Sequence, residues 1–151
     1  SKDDLIKEVF LEEGMKAQSI MVQESFLKYK EPEKAIQAFI KITIQLILEN
    51  PIFRRIMSLE DQEILHRLTN GHVREKRDAS ISLIIKYLKP HHHAGLLVDK
   101  DLTIIAGTIR SIIFLALHKE EIGEDVFDEV MDTTITIISQ GLVKENGGTN
   151  P

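Results

Sequence analysis

The chain has 151 residues, with 19 Lys and Arg against 24 Asp and Glu, a formal net charge of -5. It has no Cys, so a disulfide framework, a thiolate zinc site and a cysteine nucleophile are excluded. The acidic balance argues against nucleic acid being gripped by this surface, and one domain with a sizeable core is expected at this length.

The pattern is helical throughout, and the expected fold is all-α, one domain over 1–151 of about six helices. Ser1 with Asp4 reads as a helix N-cap with an acid at its third position. Apolar residues then recur at helical spacing to about Tyr29: Leu5, Val9, Met15, Ile20, Val22 and Phe26. Gly14 is a soft point in that long first helix. Glu31-Pro32 ends it and opens a second helix running to about Glu49, apolar nearly all round and therefore central. Asn50-Pro51 caps a short helix, PIFRRIM.

Ser58 is expected to cap a long helix from about Leu59 to Lys89, with a kink at Asn70-Gly71. Pro90 is expected to stop it and HHHAGLL to form a loop. Asp99 or Asp101 opens the segment DLTIIAGTIRSIIFLALHK, apolar on almost every face. Gly123 breaks it. Glu124 and Asp125 place negative charge in the first turn of a last helix reaching Leu142, and the NGGTNP tail frays.

The fifth segment carries two apolar stripes. Leu102, Ala106, Ile109 and Ile113 form one, and Ile105, Ile112, Leu115 and Ala116 the other. One stripe can feed the chain's own core. The other calls for a partner, most simply a second copy, with the last two long helices of each chain forming a four-helix bundle; the alternative is that both stripes pack inside one monomer. The expected dimer interface is Leu102, Ala106, Ile109, Ile113, Phe127, Val130, Met131, Thr134 and Ile138.

Little in the sequence argues for catalysis. It contains no G-x-S-x-G, P-loop, G-x-G-x-x-G or H-E-x-x-H motif, and the chain is expected not to be an enzyme. Arg67, Arg74, Lys76 and Arg77 are interrupted by Glu75 and Asp78 and read as a solvated face. Glu63 and His66 form a single E-x-x-H, and His91, His92 and His93 are consecutive. Together with Asp99 they offer an alternative, a helical-bundle metal-binding protein. Di-iron bundles use E-x-x-H twice, however, and consecutive histidines do not converge on one tetrahedral ion. No metal or cofactor is therefore expected. The opening SKDDLIKEV is charged from its first turn and is no signal peptide. IIFLAL at 112–117 is far shorter than the ~20 residues of a membrane span, and the expected compartment is the cytoplasm, with no membrane partner.

Several segments resemble TetR-family transcriptional regulators. SKDDL at 1–5 resembles the junction after that family's helix-turn-helix, without the tyrosine-containing stretch that precedes it there. ENPIFRRIM at 49–57 is similar to its N-P-x-[FL]-x-x-[LI] segment. AGLL at 94–97, followed by Asp101 to Ala106, resembles the turn before its dimer helices. GTIRSIIFLALHKEEIG and ISQGLVKE resemble its last two helices.

The resemblance implies a homodimeric effector-binding domain of a transcriptional regulator, a repressor in function class, with residues 1–29 as the helix connecting it to an N-terminal DNA-binding domain absent from this sequence. A small hydrophobic or aromatic effector is implied, and operator DNA is implied as a partner only through that missing domain. Position then gives the expected pocket: Met15, Ser19, Phe39, Thr43, Phe53, Met57, Leu65, His66, Tyr87, Arg110 and Phe114. A dimerisation module with no ligand is the remaining alternative.

Overall fold

The computed structural model describes residues 1–58 and 73–145, with 73–79 described by their backbone. It is all-α among these residues. Six helices are α1 (Lys2–Gln23), α2 (Pro32–Glu49), α3 (Pro51–Met57), α4 (Val73–His93), α5 (Leu102–Leu115) and α6 (Phe127–Leu142). A 3-10 turn at Ala116–His118 and a single helical turn at Lys119–Ile122 join the last two.

The start of α1 is a full capping box: the Asp4 amide donates to Ser1 Oγ at 3.3 Å and the Ser1 backbone nitrogen donates to Asp4 Oδ2 at 3.4 Å, with a 2.8 Å bond from Ser1 Oγ to the same oxygen. The helix ends at Gln23, short of the expected Tyr29. Two local features account for this. Pro32 holds Glu31 extended (φ -76, ψ 126), so the chain must leave the helix before it. The buried Ser25 hydroxyl donates to the Met21 carbonyl, and the Leu27 amide reaches back to Val22 O in the turn that follows.

α2 is the hub. It buries Ala35, Ile36, Phe39, Ile40, Thr43, Ile44 and Ile47, and touches α1, α3, α5 and α6. The chain turns through 113° between α2 and α3. Asn50 sits at that corner. Its backbone amide donates to Leu46 O, ending α2, while its side-chain Oδ1 accepts from the Ile52 and Phe53 amides at 3.0 and 3.1 Å, starting α3. Phe53 is the one buried side chain of α3 and plugs it into the core.

Pro90 does not stop α4, which runs on to His93, so His91, His92 and His93 form its last turn and not a loop. The proline removes one hydrogen bond close to the helix end, where few remain to be lost. The true stop is Gly95. With φ 74 it takes the left-handed conformation, its amide bonds His92 O at 3.1 Å, and the Leu96 amide bonds His91 O at 3.0 Å. This is the glycine-terminated Schellman arrangement. Beyond it, Leu97 pairs with Val143 in an isolated antiparallel bridge, held by Val98 N to Leu142 O and Lys144 N to Leu96 O, both 3.0 Å. The end of α6 is thereby tied to the loop before α5.

Asp101 caps α5 by accepting from the Thr103 amide at 2.8 Å. At the other break Gly123 has φ 112. Here α6 begins at Phe127, later than expected, so its first turn carries Asp128 and Glu129, while Glu124 and Asp125 lie in the turn before it.

The stripes on α5 require a correction. Ala106, Ile109 and Ile113, expected at a dimer interface, are buried inside their own chain, as are Ile105, Ile112 and Ala116. Leu102 is partly buried and packs on the same core. The two stripes are one broad buried face, because α5 is flanked by α2, α4 and α6 together. On α6, Phe127 and Met131 are likewise core, and Ile138 packs against it, whereas Val130 is 39% exposed and Thr134 half-buried.

What remains on the outside is a different spacing: Ile104 (58% exposed), Thr108, Ser111 and Leu115 (37%) on α5, and Val130, Thr134, Ile137 (64%) and Gly141 on α6. Contrary to the sequence expectation, Leu102–Ile122 taken as one stretch is long and apolar enough to cross a membrane by length and composition. In the fold, its Ile105, Ile109 and Ile112 belong to the core cluster.

Candidate functional site

The expected pocket residues divide into three groups. Phe39, Thr43 and Phe53 are buried, and Met57, Tyr87, Arg110 and Phe114 are half-buried. Met15 and Ser19 are exposed, Met15 at 69%, and so cannot line an interior pocket. The inward face of α1 is Ile6, Phe10, Gly14, Ala17 and Met21, spaced by three or four residues. Met15 and Ser19 fall off that stripe. Gly14 is the point of approach to α3, where a Cβ would stand 4.0 Å from Ile56 Cδ1. Leu65 and His66 lie outside the described residues, as does Glu63.

The central element of the expected pocket is an aromatic cluster. The Phe26 ring lies 5.1 Å from that of Phe39, tilted by 37°, and stacks on Tyr87 at 5.4 Å with an interplanar angle of 6°. Such pairs hold beyond their buried area through the ring quadrupole. The cluster joins the turn after α1, the middle of α2 and α4. Phe26 is the member that site prediction missed; it reads as part of a helical stripe, and only the turn at 24–28 swings it between α2 and α4. Thr43 Oγ1 donates to Phe39 O at 2.6 Å, so its hydroxyl is already engaged by its own helix. The Arg110 guanidinium lies over the Phe114 ring at 5.3 Å, a cation–π contact along α5.

A concavity lies elsewhere, between α2 and α6. It is a groove of about 350 Å³. Ile44, Phe127, Met131 and Ile135 form its apolar floor, with Leu48 beside them. Lys41, Gln45 and Glu49 rim it on the α2 side, and Asp128 and Asp132 on the α6 side. Its residues recur at i, i+3, i+4 and i+7 on both helices, a ladder that reads in the sequence as ordinary amphipathic patterning.

The histidine turn is a polar corner. His92 Nε2 donates to Lys100 O at 2.9 Å, the ring nitrogen facing an oxygen that can only accept. Asp99 pairs with Lys144 at 2.8 Å, and that hydrogen bond holds its carboxyl below the usual value. Asp101 is lowered by the Thr103 amide it caps. Burial pushes His91 down, away from its charged form. Among the described residues no group of three His, Asp or Glu is placed to hold a metal ion, and the Glu63–His66 pair lies outside them.

No protein-family model, curated protein or solved structure matches this chain.

Proposed function

We propose that this chain is the ligand-sensing and dimerisation domain of a TetR-like transcriptional regulator, most simply a repressor. It is not an enzyme and works in the cytoplasm as a homodimer. It meets operator DNA only through a helix-turn-helix domain joined ahead of α1. The observation that carries this reading is the pair of outward stripes on α5 and α6. Each combines large apolar residues with small ones: Ile104 and Leu115 flanking Thr108 and Ser111 on α5, and Val130, Thr134, Ile137 and Gly141 in alternation on α6.

The polar members of these stripes are already bonded. Thr108 donates to Ile104 O at 2.8 Å, Ser111 to Thr108 O at 2.7 Å, and Thr134 to Val130 O at 2.7 Å. Such a face can lose water without stranding a donor, which is what helix-to-helix pairing demands. A small hydrophobic or aromatic effector entering around Phe26, Phe39 and Tyr87 would press on the junction of α1 and α2, which are in contact. To act as a switch it must favour one arrangement of α1 by ~1–3 kcal/mol.

The test is the mass of the chain in solution. Native mass spectrometry at micromolar concentration should give twice the 17.2 kDa chain mass, and Ile137→Glu with Leu115→Glu should give the monomer with its helix content intact. A monomeric wild type would overturn the proposal. The direct packing of the Phe26, Phe39 and Tyr87 rings on one another favours a second reading, a dimerisation module without a ligand. That reading predicts that a dimeric chain shows no thermal shift with any member of an aromatic compound panel.

A further inference from the structure

α5 and α6 are joined at one end by residues 116–126, and they touch one another only lightly: α5 leans mainly on α4, and α6 mainly on α2. Their other ends are tied by the residues that follow α6. We propose that Val143 and Lys144 act as a strap that holds the start of α5 and the end of α6 at the spacing their outward stripes need for pairing, with Lys144 as its positioning residue. This rests on the pairing reading above and names the part of the chain that controls it.

The strap begins where α6 stops. Val143 is extended (φ -104, ψ 136), a conformation that suits a β-branched residue. That turn carries the Lys144 amide away from the helix and onto Leu96 O, at 3.0 Å. The Leu142 carbonyl, which a helix end leaves without an internal partner, accepts from the Val98 amide at 3.0 Å. The Lys144 ammonium meets Asp99 Oδ1 at 2.8 Å. Leu97, 1% exposed, and Leu142 are buried beneath these bonds, and Val98 and Val143 pack against the same core. Residues just past a last helix fray unless something ties them down. Here the tie goes to the segment ahead of α5, where Asp101 caps that helix.

Position gives the strap its consequence. Ile104 lies in the first turn of α5, and Ile137 and Gly141 in the last turns of α6. The strap crosses between the helices at that end, so it sets how far Ile104 stands from Ile137 and Gly141. A second copy can bury both stripes only while they form one surface. The far side of the same segment is held by α4, where His92 Nε2 donates to Lys100 O at 2.9 Å and Gly95 closes the turn. The start of α5 therefore stays with α4 when the strap opens, and the end of α6 is the part set free.

The experiment compares Lys144→Pro with wild type in the full chain. The proline removes the amide bond to Leu96 and the ion pair together, and Val143 already has the extended backbone that a following proline demands. Lys144→Arg keeps both and is the control. Sedimentation velocity over a dilution series should give a dimer dissociation constant about tenfold higher for Lys144→Pro, the size expected for one hydrogen bond and one surface ion pair lost, and unchanged for Lys144→Arg. Amide hydrogen exchange should quicken at Val98 and through the last turn of α6, and stay as in wild type at 40–44 in α2. Circular dichroism checks that helix content is kept. Should the proline unfold the chain, Lys144→Ala carries the test: it keeps the amide bond, drops the ion pair, and should weaken the dimer about twofold. A dimer of wild-type strength in the folded variant overturns the strap and leaves the pairing reading standing. Unaltered exchange at Val98 and the end of α6, or equal weakening by Lys144→Arg, overturns it as well. A monomeric wild type overturns the pairing reading, and the strap with it.

Discussion

Asn50 concentrates more of the fold in one side chain than its half-buried position suggests. Its Oδ1 caps α3 through two amides, and its Nδ2 reaches Glu13 Oε2 on α1 at 3.4 Å. Asn50→Ala removes all three while leaving the backbone bond to Leu46. Loss of an N-cap costs about 1 kcal/mol. The long side-chain bond to Glu13 adds at most about 0.5–1 kcal/mol. The expected loss is about 1–2 kcal/mol, and at about 2–4 °C per kcal/mol for a chain of this size Tm should fall by about 2–8 °C. Urea melts should show a lower midpoint with unchanged slope, because the surface exposed on unfolding is the same. Asn50→Asp separates the two roles. It keeps the cap but places a second carboxylate against Glu13, so it should recover only part of the loss; adding Glu13→Gln should recover most of the rest. If Asn50→Ala melts within a degree of wild type, the corner between α2 and α3 is held by Pro51 and Phe53 alone and the reasoning fails.

Two further predictions concern α1 and acid. Gly14→Ala should raise stability by about 0.5–1 kcal/mol, read as a higher Tm, because the added methyl meets Ile56 at ordinary van der Waals distance and removes helix-interior glycine entropy; a lower Tm would mean that Ile56 Cδ1 stands closer to the added Cβ than 4.0 Å. Acid should destabilise the fold in two stages. His91 is held below its ordinary 6.5, so the unfolded chain takes up its proton first, and stability that is full above 6.5 declines as pH falls from there through the lowered folded value. Asp99 and Asp101 are held below 3.8, so their contribution is full above 3.8 and is lost as pH falls through their lowered folded values. Denaturant melts of His91→Gln should lose the first stage and keep the second; an unchanged first stage would refute the assignment.

The elements legible in the sequence are those with chemical punctuation. Pro32 and Asn50-Pro51 place α2 and α3 to the residue, and Ser1 with Asp4 places the start of α1. The errors arise where two signals compete. Pro90 is the stronger breaker by type, yet it stands near a helix end where its cost is small, and Gly95 supplies the left-handed residue that ends the helix. On α5 an apolar pattern counts faces but not neighbours. The helix has three, so both stripes are absorbed and the free face is the one reading Ile104, Thr108, Ser111, Leu115. On α1 apolar residues point in several directions, so periodicity alone does not choose between the Met15 and Gly14 faces. The α2–α6 groove was beyond reach for another reason: Lys41 and Asp132 are brought together only by tertiary packing.

The two flanks of α6 show how one helix can present opposite chemistries without conflict. The hydroxyl on the Val130 flank is returned to the helix backbone four residues earlier, so nothing there needs water. Asp128 and Asp132 on the other flank have no such option, because an ionised carboxylate has only acceptors and the helix interior offers no spare donors. It stays hydrated or meets a cation. Between the flanks, Phe127, Met131, Ile135 and Leu142 anchor the helix in the core, and the bridge from Leu142 and Lys144 to Leu96 and Val98 fixes its far end. A helix held at its centre and its end cannot roll to exchange its flanks. The division between an apolar side and a carboxylate side is therefore set by the core, and a charge placed at Ile137 should disturb the proposed pairing while leaving the carboxylate side as it is.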